Sequence, residues 1–308
     1  MVNRPYQVIT MESKVSFLGI GAAKSGSTWL ASLLGQHPQV AFPKLKEAAY
    51  FNRFDYDGSI NKVADFDLAY YHGLWNNADG KLIGEWSPQY FYDLEAAQRI
   101  AKYNPDMKLL LVLRNPVNRA HSHFIYDQNF NELIDPNLSF SDACKEHDYL
   151  LNAGLYAKQL QRFLKIFKRE QIAIFVLEEI TLNPDKTAKQ LYDFLEIDST
   201  FIPDFAPKNE SKRIKNKRFN WILSIPGKLK RKMEQNERYA KKLQRFEQSD
   251  IHQKLFYWKT KLKDINVSQI EKSVVQKEAY NELLTFFDED IRELNKLGVN
   301  TSYWKPKA

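Results

Sequence analysis

Short apolar runs alternate with amphipathic helical stretches along most of this chain, which predicts an α/β fold: a central parallel sheet flanked by helices. Three observations carry that prediction. Val15–Ile20, Lys108–Leu113 and Gln171–Leu177 are rich in Val, Ile, Leu and Phe and have the length of buried strands, with Gln39–Phe42 as a shorter fourth. Apolar residues recur at helical spacing over Thr28–Gly35, Leu94–Tyr103, Pro116–Gln128, Leu155–Phe167 and Pro184–Leu195, with Asp93 and Asn183 as N-caps. Strands joined through helices run parallel, and such sheets bind ligands at the carboxyl ends of their strands.

The 308 residues are enough for one large domain with an insert, and the net charge of +7 is unevenly spread. Residues 208 to 246 hold fourteen Lys/Arg and three Glu, a local balance of +11 that leaves the remainder at −4. That segment reads either as a solvated helical insert or as a surface for an acidic substrate, a polyanion or a membrane; no nucleic-acid motif accompanies it. From about 214 to 270 helix-forming charged residues dominate and strand signals vanish, so a basic helical insert is expected, with the core at about 15–213 and 271–308 of one domain. Glu278–Leu297 then resumes an amphipathic helix that ends near Gly298. The single cysteine, Cys144, excludes an internal disulfide. With no apolar run of membrane-spanning length and no signal-peptide core before Val15, a cytoplasmic protein is expected.

The first strand runs into Gly21-Ala-Ala-Lys-Ser-Gly-Ser-Thr28, a small-residue loop that opens a helix. Its backbone N–H groups can close around an anion, the helix adds its positive dipole end, and Lys24 adds a full charge. A nucleotide triphosphatase loop has Gly, four residues, then Gly-Lys-Ser/Thr. Gly21 and Gly26 keep that spacing, but Ser27 stands where the lysine belongs and Lys24 lies upstream. A P-loop kinase would need the missing lysine and an acidic magnesium site, and neither is evident. At the end of another strand, Arg114-Asn-Pro116 precedes a helix that carries Ser122 eight positions on. An arginine fork with a hydroxyl suits a second phosphate, although an Arg-Asn-Pro turn also simply starts helices.

Together these elements resemble the sulfotransferases that use 3′-phosphoadenylyl sulfate (PAPS). Lys24-Ser-Gly-Ser-Thr-Trp29 matches their 5′-phosphosulfate loop, and Arg114 with Ser122 matches their 3′-phosphate motif. Pro43-Lys-Leu-Lys-Glu-Ala-Ala-Tyr-Phe51 and Gly84-Glu-Trp-Ser-Pro-Gln-Tyr-Phe91 are similar to segments of the heparan sulfate branch. Gly154-Leu-Tyr156, Phe175–Ile180 and the tail Ile291–Trp304 are similar to later parts of the family. The resemblance implies a sheet of P-loop nucleotide-kinase type, PAPS as donor with PAP as product, and no metal. It implies that Lys24, Ser25, Gly26, Ser27, Thr28, Trp29, Arg114 and Ser122 hold the cofactor, with Lys212 and Arg213 in a basic loop over the 3′-phosphate. It also implies catalysis by Lys24, which meets charge on the leaving phosphate, and by Glu47 as general base. His121 and His123 are rival bases.

Lys46, Glu85, Trp86, Ser87 and Tyr90 are expected near the acceptor, a carbohydrate or glycolipid hydroxyl or amine. Trp86 stands where many heparan sulfate members have lysine, and Ala49 where they often have histidine, so the cofactor site matches better than the acceptor site. A noncatalytic protein that binds nucleotides or polyanions through 208–246 is the competing class.

Overall fold

The computed structural model describes residues 14–43, 47–53, 68–75, 78, 80–131, 133–206, 212–214, 267–269 and 275–306. The chain forms two compact units. One comprises the chain up to Ile125, Asn137–Asn209 and the chain from Val275; the other comprises Tyr126–Pro136 and Glu210–Val274.

The first unit is built on a five-stranded sheet of β1 (Phe17–Gly21), β2 (Val40–Ala41), β3 (Leu82–Trp86), β4 (Lys108–Leu113) and β5 (Ile172–Val176). Its order is β2-β3-β1-β4-β5 and every pairing is parallel. The helices are α1 (Ser27–Gln36), α2 (Leu68–His72), α3 (Ala96–Tyr103), α4 (Pro116–Tyr126), α5 (Phe140–Glu146), α6 (Tyr149–Asn152), α7 (Tyr156–Leu164), α8 (Leu177–Leu182), α9 (Pro184–Leu195), α10 (Lys277–Phe286) and α11 (Asp288–Lys296). The central strands show why a parallel sheet forms. Leu18, Ile20, Leu109, Leu111 and Leu113 enter one apolar core, while Phe17, Leu110, Val112 and Phe175 enter another on the opposite face. Both faces are therefore covered, and each buried Leu or Val contributes roughly 1.5–3 kcal/mol.

Close approach between β1 and β3 depends on glycine set against an aromatic ring. Gly19 is in register with Trp86, and Phe17 with Gly84. A Cβ built on Gly19 would lie 1.9 Å from the Trp86 ring, and one on Gly84 would lie 2.2 Å from Phe17. Each glycine leaves the space its partner ring fills.

The parallel sheet flanked by helices agrees with the expectation, and β4 and α9 begin and end where their patterns do. Other elements differ. Leu82–Trp86 was not recognisable as a strand because Gly84 and Glu85 interrupt its apolar run. Asp93 lies before the N-cap position of α3, which is Glu95, and instead accepts the Glu95 N–H at 2.8 Å. Asn183 does occupy the N-cap position of α9, but through no side-chain hydrogen bond. The single helix expected over 278–297 is two, α10 and α11, divided at the buried Phe287. The acidic run Asp288-Glu289-Asp290 favours a new N-terminus there. In the second unit, β6 (Lys212–Ile214) pairs antiparallel with β7 (Val267–Gln269), a strand pair where none was expected. The helical content expected between them lies outside the described residues. Beyond α4 the chain tightens into a π turn over Asp127–Asn131.

Candidate active site

The strand order places the site. The chain leaves β1 toward β2 and β3 but leaves β4 toward β5, so the two connections diverge at the carboxyl ends of adjacent strands. That divergence opens a crevice, and the phosphate-type loop follows β1 while the arginine turn follows β4.

In the loop, Lys24 and Gly26 both have positive φ, 65° and 88°. Alternating left-handed residues turn backbone N–H groups inward to form an anion nest. Gly26 is the N-cap of α1, which has neither a side-chain cap nor an acidic residue in its first turn, so the positive end of the helix is not neutralised from within. Ser25 is wholly buried and, among the described residues, its hydroxyl meets no partner in full hydrogen-bond geometry although it interacts with the Tyr156 hydroxyl, while Ser27 is buried and Lys24 and Thr28 are half-buried. A buried hydroxyl inside a nest of donors fits a phosphosulfate. The Trp29 indole donates to the Phe205 carbonyl at 3.3 Å and stacks on the Phe205 ring.

Arg114 joins the two motifs by donating from Nη1 to the Lys24 carbonyl at 3.2 Å. Burial lowers its pKa, and the Glu178 carboxylate opposes that shift. The turn is held on several sides. The Tyr156 hydroxyl donates to the Arg114 carbonyl at 3.0 Å, and the Asn115 N–H donates to Glu178 Oε1 at 3.0 Å. Glu178 Oε2 accepts from the Trp304 indole at 3.0 Å, and Asn115 Nδ2 donates to the Tyr280 hydroxyl at 2.9 Å. Ser122 is half-buried on α4, two turns beyond Arg114.

The neighbouring histidines are packed. His121 lies 5.0 Å from the Phe140 ring and stacks on Phe124. His123 is buried with Nδ1 3.2 Å from Arg119 Nη1. Because a guanidinium only donates, Nδ1 accepts and the ring proton sits on Nε2. Burial, Arg119 and Lys24 push its pKa down to about 2, which leaves it neutral and a very weak base. Arg119, fully buried, also donates to the Leu150 carbonyl. Local spacing in the sequence does not mark Arg119, whose role comes from its buried surroundings.

On the other side of β1, Glu47 is half-buried with φ 61°, and Gln89 Nε2 lies 3.4 Å from its Oε2. Lys46 lies outside the described residues. Glu85, Ser87 and Tyr90 are 0 % exposed and turned inward, and Trp86 packs over Gly19. Burial raises the Glu85 pKa to about 7, partly offset by hydrogen bonds from Ser87 and Tyr90. Lys212 and Arg213 lie in β6, opposite Gln269 and Ser268, and their assignment to the cofactor rests on sequence alone. Among the described residues no group of three or more His, Cys, Asp or Glu is placed to hold a metal ion.

Comparison with known proteins agrees with this geometry. A family model described as a sulfotransferase domain matches residues 16–272. The membrane-associated sulfotransferase kil1 of Dictyostelium discoideum is 26% identical, over 67% of this chain and 62% of that protein. The heparan sulfate glucosamine 3-O-sulfotransferase 6 of Mus musculus is 31% identical, over 57% of this chain and 50% of that protein. The chain thus spans between half and two thirds of the length of these two relatives. Among solved structures, a sulfotransferase from Alicyclobacillus acidocaldarius matches with a TM-score of 0.55 at 29% identity, over 64% of this chain and 87% of that one. The relatives overturn the expectation of a cytoplasmic protein, since one of them, kil1, is membrane-associated by name. No helix among the described residues is long and apolar enough to cross a membrane. A nest without the kinase lysine, an arginine turn bonded to it and a domain match over 16–272 agree, and the chain belongs to the sulfotransferase family, whose sulfuryl donor is PAPS and whose product is PAP.

Proposed function

We propose that this chain transfers the sulfuryl group of PAPS to a hydroxyl or amine of a carbohydrate or glycolipid. The Arg114–Lys24 hydrogen bond carries this reading, because it unites a nest for one phosphate with a guanidinium for another at one sheet edge. The carbohydrate acceptor is supported by the heparan sulfate relative.

Sulfuryl transfer forms a bond from the acceptor oxygen or nitrogen to sulfur and breaks the bond from sulfur to the 5′-phosphate oxygen. Charge grows on that phosphate as the bond breaks. Lys24 and the N-terminus of α1 meet it, with the hydroxyls of Ser25, Ser27 and Thr28 around the same anion. Arg114 and Ser122 hold the 3′-phosphate, and the guanidinium fork gives two-point recognition. The acceptor proton passes to Glu47, since His123 is held neutral beside Arg119 and His121 is wedged between aromatic rings. Glu85, Ser87 and Tyr90 are bonded to one another inside the fold, which supports a role for them behind the acceptor site.

Calorimetric titration with PAP, beside ATP and magnesium, tests the cofactor site. Wild type is expected to prefer PAP, and Arg114→Ala to lose about 1.5–3 kcal/mol of PAP affinity, the range for hydrogen bonds to charged groups. Preference for ATP and magnesium, or indifference to Arg114, would sink the assignment. Radiolabelled PAPS offered to a panel of glycans and glycolipids then identifies the acceptor. PAP binding without transfer to any of them would favour a binding protein.

A further inference from the structure

We propose that Glu85 is a positioning residue for the reaction: its single carboxylate, acting through the hydroxyls of Ser87 and Tyr90, fixes the backbone of residues 49 and 50 and thereby the aim of Glu47. The proposal rests on the reading of Glu47 as the base.

The arrangement is a two-armed relay. Ser87 Oγ donates to Glu85 Oε2 at 2.6 Å and accepts the Ala49 N–H at 2.9 Å. Tyr90 Oη donates to Glu85 Oε1 and accepts the Tyr50 N–H at 2.9 Å. The Ala48 amide also favours the ionised carboxylate, and Tyr71 Oη reaches Oε1 at 3.5 Å. One buried group thus connects to three consecutive amides immediately after Glu47.

Once ionised, above about pH 7, the Glu85 carboxylate suits this task because it only accepts. It draws both hydroxyl protons toward itself, which turns the oxygen lone pairs of Ser87 and Tyr90 toward the two amides. Glutamine accepts through one atom only, so Glu85→Gln leaves one hydroxyl without its acceptor. The loop has reason to need such anchors. Glu47 and Ala49 both hold positive φ, 61° and 52°, a region that costs an ordinary L-residue roughly 1–2 kcal/mol. A strained backbone persists where its surroundings over-determine it.

The base is also tied to the cofactor through the sheet. Glu85 is in register with Leu18 of β1, and the Ser87 N–H donates to the Gly19 carbonyl at 2.9 Å. The strand that ends in the phosphate nest therefore also fixes the height of the relay. Side chains expected to touch an acceptor act instead one layer behind it.

Amide hydrogen exchange, combined with turnover of PAPS on a heparan sulfate oligosaccharide, tests the relay. Ser87→Ala is expected to speed exchange at Ala49 at least tenfold and spare Tyr50, Tyr90→Phe to do the reverse, and Glu85→Gln to speed at least one of them. Exchange at Leu18 and Leu111 serves as the folding control. At pH 8, where Glu85 is ionised, Glu85→Gln is expected to lower kcat about tenfold with KM for PAPS unchanged, and to cost nothing further in a Glu47→Gln background. Wild-type exchange at Ala49 and Tyr50 in all three variants overturns the proposal, as does faster exchange with wild-type kcat in Glu85→Gln while Glu47→Gln is impaired. If Glu47→Gln alone keeps wild-type kcat, the base assignment fails, and the exchange rates still decide whether Glu85 holds the loop.

Discussion

At Gly26 a single hydrogen in place of a side chain serves two purposes. Its φ of 88° is open to glycine and costs other residues strain, and a Cβ there would sit 2.6 Å from Leu177 Cδ1. Gly26→Ala is therefore expected to destabilise the protein by about 1–3 kcal/mol, from strain and overpacking together, and to weaken PAP binding because the nest deforms. Thermal unfolding and calorimetry read the two effects separately; an unchanged melting temperature would show that the loop relaxes freely. Glycine, small residues and Lys24 made this loop legible in sequence, because local spacing alone defines an anion nest. Arg119 and Glu85 were harder to read. What matters in each is what surrounds it, and that depends on residues far away, such as Leu150 for the guanidinium and Ala49 for the carboxylate relay.

Among the elements, β4 was readable because five of its six residues are aliphatic and buried on alternating faces. The neighbouring β3 was not, since Gly84 is small to admit Phe17 and Glu85 is buried for the relay; each departure from strand chemistry answers to a partner on another strand or loop. The glycine-aromatic pairs lead to a specific expectation. Gly19→Ala forces a methyl into the Trp86 ring and is expected to cost about 1–3 kcal/mol or more, with a changed Trp86 fluorescence. Adding Trp86→Leu in the same chain is expected to recover part of that loss, because the smaller side chain vacates the space. Additive losses in denaturant titrations would refute this coupling. The division of the expected 278–297 helix at Phe287 has a similar origin: that ring packs against Gly154, where a Cβ would lie 2.8 Å from Phe287 Cε1.

For the whole molecule, a buried acid whose pKa lies above its ordinary value makes folding sensitive to pH. Glu85 rises from 4.5 to about 7, so between those values the folded chain holds a proton that the unfolded chain has released. Stability from this group is complete below about pH 4.5 and is lost as the pH rises toward 7. At about 1.4 kcal/mol per pH unit the loss comes to roughly 3 to 4 kcal/mol in all, of which about 2 to 3 kcal/mol falls between pH 5 and pH 7.5. Urea unfolding of wild type and Glu85→Gln at pH 5 and pH 7.5 isolates it: the difference in stability between the two proteins is expected to move by about 2 to 3 kcal/mol, and a constant difference would exclude the effect. The same scale brings out a consequence of Glu178, whose two oxygens hold the Asn115 amide and the Trp304 indole. Every residue of the nest and the arginine turn has been synthesised by Ser122, yet the turn gains its last support only when Trp304 emerges from the ribosome. A nascent chain thus carries both phosphate motifs before Trp304, 182 residues after Ser122, completes the support of the arginine turn.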